Sequence, residues 1–125
     1  MSAKFFTCKC CGDTVAIIKE ACCTPSCCGK PMEEIIPGTV EAAVEKHIPE
    51  VSVDGGSVDV VVGAVEHPMI ETHLIEWICL ETEKGGQIKY LKAGEAPKAS
   101  FAVTDDKAVA AYAYCNLHGL WKKEI

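Results

Sequence analysis

Beyond residue 44 the apolar residues recur at every second position, the period of a half-buried strand. Ser57 to Gly63 places Val58, Val60 and Val62 on one face. His73 to Thr82 is a longer run that puts His73, Ile75, Trp77 and Cys79 together. Gln87 to Leu91, Ser100 to Thr104 and Lys107 to Cys115 continue the series, the last with Val109, Ala111, Ala113 and Cys115 sharing a face. Turn chemistry separates the runs. Val51-Ser52-Val53 is followed by Asp54-Gly55-Gly56, a hairpin signal, Lys84-Gly85-Gly86 is a second, and Ala93 to Lys98 reads as a Gly/Pro loop. Six or seven short strands at this spacing predict a mainly β protein with an immunoglobulin-like antiparallel β-sandwich.

The first forty residues lack that alternation. Residues 8–32 are rich in cysteine and contain only one short strand-like run, Asp13 to Ile18. Glu33 to Ala43 is a connector punctuated by Pro37-Gly38, where Thr39 is expected to cap a short turn through Val44. The expected organisation is a small Cys-rich metal domain over 1–36, a linker over 37–42 and the sandwich over 43–125.

Composition narrows the function. The formal net charge is −6 and all twelve basic residues are lysines. Without arginine there is no bidentate fork for phosphate or guanine, so nucleic-acid binding is not expected. No apolar run approaches the roughly 18 residues that span a bilayer. Met1-Ser2-Ala3-Lys4-Phe5-Phe6 meets polar sequence at once and does not read as a secretory signal, so a cytoplasmic protein is expected.

Nine cysteines then point to metal rather than to disulfides, because seven of them precede residue 29. Cys8-Lys9-Cys10-Cys11-Gly12 holds a C-x-x-C pair and Cys27-Cys28-Gly29 closes the cluster. Four thiolates around one tetrahedral ion mean zinc or iron, and so short a unit needs the metal for its folding energy. Cys10, Cys22 and Cys23 exceed the four ligands.

The chain has four histidines. A lone histidine is more often a surface or satisfied core residue. Here each keeps telling company: Glu45-Lys46-His47-Ile48-Pro49, Glu66-His67-Pro68-Met69-Ile70-Glu71-Thr72-His73 and Cys115-Asn116-Leu117-His118. Prolines hold neighbouring backbone extended, and Cys115 with His118 can reach one ion from a short loop. Four imidazoles with one thiolate exceed ordinary zinc coordination and suit iron. Cys79, Trp77 and Trp121 read as packing residues.

These motifs resemble, almost end to end, those of desulfoferrodoxin, the two-iron class of superoxide reductase. Residues 8–32, with a C-x-x-C and a Cys-Cys pair separated by fifteen residues, resemble its desulforedoxin-type domain. Residues 43–125, with E-K-H, H-P-M-x-x-x-H and C-N-x-H-G, resemble the neelaredoxin-type catalytic domain. The resemblance implies two iron ions per chain. Cys8, Cys11, Cys27 and Cys28 match the ligands of a tetrahedral Fe(Cys)4 centre. His47, His67, His73 and His118 match four equatorial imidazoles and Cys115 the axial thiolate of the catalytic iron. Glu45 matches a carboxylate that takes the sixth position in the oxidised state, and Lys46 a lysine that attracts superoxide. It further implies reduction of superoxide to hydrogen peroxide, a rubredoxin-like electron donor and a homodimer. The alternatives are a non-catalytic electron carrier using only the tetrathiolate site, and a β-sandwich binding module with a structural zinc knuckle.

Overall fold

A computed structural model describes residues 3–125; Met1 and Ser2, which belong to the leader argument and to the expected first domain, lie outside the described residues. The chain forms two compact units, one running to Ile36 and the other spanning Pro37–Ile125.

The first unit has little to hold it together but turns. β1 (Phe5–Thr7) and β2 (Thr14–Ala16) flank the Cys8–Gly12 knuckle, in which the Gly12 N–H donates to the Cys8 carbonyl and the Cys8 N–H to the Asp13 carbonyl, both at 2.8 Å. β3 (Ser26–Cys27) and β4 (Lys30–Pro31) form a hairpin whose two turn residues, Cys28 and Gly29, have φ of 53° and 73°. Positive φ at both is the twist-matched two-residue turn, and it lets one cysteine end a strand while the next sits in the bend. β5 (Glu33–Glu34) completes a three-stranded sheet in the order β2-β1-β5. Among the described residues up to Ile36 only Phe5, Cys8 and Met32 are buried. Three side chains are no core, so the four-cysteine cluster must supply the cohesion.

The second unit is a β-sandwich. It begins with one helical turn, α1 (Val44–His47), whose N-cap Ala43 makes no side-chain cap. The helical turn therefore starts at Val44 rather than ending there. Seven strands follow: β6 (Pro49–Asp54), β7 (Ser57–Val62), β8 (Ile75–Thr82), β9 (Gly85–Tyr90), β10 (Lys98–Ala102), β11 (Ala108–Cys115) and β12 (Gly119–Glu124). They form a three-stranded sheet in the order β10-β7-β6 and a four-stranded sheet in the order β12-β11-β8-β9, with antiparallel neighbours. The expected alternation in β7 is seen: Val58, Val60 and Val62 are buried and the residues between them are exposed. They meet Ile75, Ile78 and Leu80 of β8, Phe101 of β10 and Ala111, Ala113 and Cys115 of β11 in one cluster.

Two irregularities in the β8–β11 ladder change which side chains share a face. One lies between Tyr114 and Cys115, which pair with Trp77 and Ile75, so Glu76 is skipped. The phase shifts, and Ile75 joins Ile78 and Leu80 in the core while Trp77 stacks on Tyr114 with ring centroids 5.5 Å apart. His73 is not part of this strand, which begins at Ile75; it lies in the preceding loop and exchanges backbone hydrogen bonds with Ile70. The second shift, between Ala108 and Ala110, turns Val109 out to solvent and away from Ala111, Ala113 and Cys115.

The segment 37–42, expected as a linker, is held by the second unit. The Gly38 N–H donates to the Leu120 carbonyl at 2.8 Å, and a Cβ on Gly119 would come within 3.2 Å of Val40.

Gly63 is pressed against α1. A Cβ there would stand 2.7 Å from the Glu45 carbonyl oxygen, 2.9 Å from the Lys46 carbonyl carbon and 3.1 Å from the His47 nitrogen. These are backbone atoms that cannot swing aside. Gly63→Ala is therefore expected to cost about 1–3 kcal/mol of unfolding free energy by overpacking. An unchanged midpoint in urea would show that the α1 turn yields freely.

Candidate metal centres

The sandwich delivers five donors to one point from four segments. His47 ends α1, His67 lies in the loop after β7, His73 in the loop before β8, Cys115 ends β11, and His118 lies in the turn to β12. His47, His67 and Cys115 are each no more than 2% exposed. One donor atom from each of His47, His67, His73 and Cys115 lies within 4.8 Å of all the others. His118 joins them: its Nδ1 is 3.2 Å from His47 Nε2 and 3.8 Å from Cys115 Sγ. Neighbouring rings follow one another in a closed circuit, His47–His67 at 4.7 Å, His67–His73 at 4.7 Å, His73–His118 at 5.2 Å and His118–His47 at 4.9 Å between centroids. All four contacts are edge-on, with interplanar angles of 76–89°.

Hydrogen bonding fixes the protons at two of these rings. His47 Nδ1–H donates to the Ala43 carbonyl and His67 Nδ1–H to the Pro68 carbonyl, each at 2.7 Å. A carbonyl only accepts, so both Nε2 atoms carry bare lone pairs when the rings are neutral. Burial lowers the pKa of His47 and His73 and takes that of His67 down to about 4, which keeps them neutral. Yet the two Nε2 atoms approach to 3.2 Å. Two lone pairs do not hydrogen-bond; a cation between them makes the approach favourable. Nitrogens about 2.1 Å from one ion and at right angles around it are about 3 Å apart. His73 Nε2 is buried without any hydrogen-bond partner, another donor aimed at nothing but the same point. Five donors of this kind fit a five-coordinate iron better than tetrahedral zinc.

Burial pushes the Cys115 thiol up, while the Leu117 and His118 N–H groups lean the other way. Lys46 is exposed, and its charge contributes to the lowered pKa of His47 and His73, so its cation acts on the site. Glu45 is exposed on the same turn.

The sulfur cluster of the first unit has a different geometry. Cys8, Cys11, Cys27 and Cys28 bring their sulfurs within 4.8 Å of one another, with Cys11–Cys27 at 3.6 Å and Cys27–Cys28 at 3.9 Å. Sulfurs about 2.3 Å from one ion at tetrahedral corners are about 3.8 Å apart, so the spacing fits a tetrathiolate. The Cys11 N–H is the largest influence taking Cys8 down to about 6; the Cys11 and Cys8 thiols push Cys27 up, and Cys10 leads in pushing Cys28 up to about 11. Cys10, Cys22 and Cys23 stand outside this set, and Cys79 is buried.

Three supporting residues were not among the candidates read from the sequence. Asn116 clamps the His73 loop to the Cys115 loop: its Oδ1 accepts the Leu74 N–H at 3.0 Å and its Nδ2 donates to the Thr72 carbonyl at 3.1 Å. Trp121, taken as packing, also donates Nε1–H to the His118 carbonyl at 3.0 Å and lies 5.0 Å from the His47 ring. Gly63 is the third. An Asn between two candidate ligands was the only signal of the kind available in sequence.

Residues 39–124 match the family model described as Desulfoferrodoxin. The chain is 42% identical over 121 residues to the desulfoferrodoxin of Nitratidesulfovibrio vulgaris, covering 97% of this chain and 95% of that one. It is 42% identical to a desulfoferrodoxin homolog of Archaeoglobus fulgidus over 94% of this chain and 93% of that one. Among solved structures, the superoxide reductase from Treponema pallidum aligns with a TM-score of 0.84 and 41% identity over 99% of this chain and 100% of that chain.

Unfolded histidine titrates near 6.5, whereas folded His67 titrates near 4. Between those values the unfolded chain takes up protons that the folded chain refuses, so stability is full above the upper value and falls as pH drops through the window. The thermal midpoint of the metal-free chain is expected to fall steadily across it, and the loaded chain to release the histidine-bound metal there. A midpoint indifferent to pH would show that these rings are not held neutral.

Proposed function

We propose that this chain, which belongs to the desulfoferrodoxin family, works as a superoxide reductase with iron at both sulfur-containing sites. The observation that carries the reading is the closed circuit of four imidazoles with the Cys115 sulfur beside it. In this reading His47, His67, His73, His118 and Cys115 hold the catalytic iron, and Cys8, Cys11, Cys27 and Cys28 hold the second. Iron held by these residues would supply one electron to superoxide, which with two protons would become hydrogen peroxide.

The chain's own groups do the rest. Burial keeps His47, His67 and His73 neutral, which leaves their lone pairs available at neutral pH. Cys115 donates electron density as a thiolate, which favours the oxidised metal. Lys46 offsets a net charge of −6 near the site and draws a small anion inward, an attraction that salt screens. Glu45, on the same exposed turn, is the carboxylate available to the oxidised site. A rubredoxin-like protein as electron donor, a homodimer and a cytoplasmic setting complete the proposal; their support is the family membership. Among the described residues no helix is long and apolar enough to cross a membrane.

Anaerobically reduced protein given a pulse of superoxide is expected to yield one peroxide per superoxide and no oxygen. Oxygen in dismutase stoichiometry would overturn the reading, as would zinc alone on metal analysis. Lys46→Ala is expected to slow the encounter about tenfold at low salt, with the gap closing as salt rises. Equal rates at low salt would remove Lys46 from the steering role.

A further inference from the structure

The first unit carries a second pair of sulfurs outside the tetrathiolate. Cys22 and Cys23 are adjacent and exposed, with their Sγ atoms 3.3 Å apart and one S–H donating to the other sulfur. They line a cavity of about 440 Å³ within the same unit, together with Phe6, Ile17, Pro25 and Met32 and with the charged Lys19 and Glu34. The cavity's other lysine, Lys4, is already paired with Glu20 at 2.8 Å.

Sulfur spacing reports the angle a shared acceptor must accept. With acceptor–sulfur bonds of about 2.3 Å, a linear ion needs its sulfurs about 4.6 Å apart, a tetrahedral ion about 3.8 Å, and an acceptor with near-right angles about 3.3 Å. The tetrathiolate pairs at 3.6 and 3.9 Å fall on the tetrahedral value. The 3.3 Å pair falls on the right-angle value. A disulfide suits this pair poorly, because adjacent Cα atoms are about 3.8 Å apart and disulfides ordinarily need about 4.4–6.8 Å.

We propose that Cys22 and Cys23 form a bidentate dithiol site for a trivalent, pyramidal, thiophilic acceptor of the arsenic(III) type. Such an acceptor takes two sulfurs at angles near 90° and keeps its third substituent free. Within the mixed lining of the cavity, Phe6, Ile17, Pro25 and Met32 offer that substituent apolar contacts when it is an aryl or alkyl group. The reaction needs no oxidant. An arylarsine oxide forms two As–S bonds to the two thiols, its As–O bond breaks, and the oxygen leaves as water with both thiol protons.

The test uses the full chain with its metals bound, under anaerobic conditions, and phenylarsine oxide as the probe. Native mass spectrometry is expected to show one adduct per chain with the metal content unchanged. Cys22→Ser and Cys23→Ser are each expected to weaken binding at least about a hundredfold, the gain that linking two donors provides. Cys10→Ser is expected to bind like the parent chain. No adduct, an adduct that survives in the double variant Cys22→Ser/Cys23→Ser, or an adduct formed only as metal is lost would each overturn the proposal. None of these outcomes depends on the reductase reading, which is tested by superoxide turnover.

Discussion

The structure turns on an arrangement of lone pairs that is unfavourable alone. His47 and His67 commit their Nδ1–H groups to backbone carbonyls and bring bare Nε2 atoms to 3.2 Å. His73 aims an unpartnered nitrogen at the same place, and the Cys115 sulfur lies beside it. A protein interior does not leave donors like these unanswered without cost. A cation answers all of them at once, which gives such a set of donors its affinity for a metal. The β-sandwich makes this workable, because the donors sit on loops and element ends around a core that is already packed.

The two units solve the problem of cohesion in opposite ways. The sandwich has a continuous apolar cluster, from Val58 and Phe101 to Leu80 and Ala113, and offers its metal a prepared position. Among its described residues the Cys-rich unit has three buried side chains, so it depends on a metal at its cysteines to exist as a fold. Chelation should therefore unfold the first unit while leaving the sandwich largely intact. The difference also explains why extra thiols are tolerated in the first unit. Its surface is loop, and Cys10, Cys22 and Cys23 add sulfur without disturbing a core.

Access to the catalytic centre depends on a few backbone decisions. Gly63 lets α1 lie close enough for His47 to turn inward while Glu45 and Lys46 remain exposed on the same turn. Asn116 ties two ligand loops together through backbone groups on the far one. A single turn thus carries both a buried imidazole of the cluster and two exposed charges.

Much of this was legible in the chain. Alternation in β7 predicted its buried valines, the Gly-containing turns predicted the hairpins, and the spacing of cysteines and histidines named the donors that the structure brings together. Period-two reasoning failed where the ladder slips a residue. It placed His73 and Ile75 on the face of Trp77, and Val109 on that of Cys115, because a bulge leaves no mark in a pattern of apolar residues. It also missed the last strand, Gly119–Glu124, whose Lys122-Lys123-Glu124 end is too polar to read as a strand until it pairs with β11. The sequence by itself determined which atoms are available: four imidazoles, nine thiols and no arginine. Tertiary structure decided which of them meet, because a metal site is defined by distances and angles between residues far apart in the chain. Closure of the sandwich brings His47 within 3.2 Å of His118 across 71 positions, and the same local chemistry of adjacent thiols yields a tetrahedral spacing in one turn and a right-angle spacing in another.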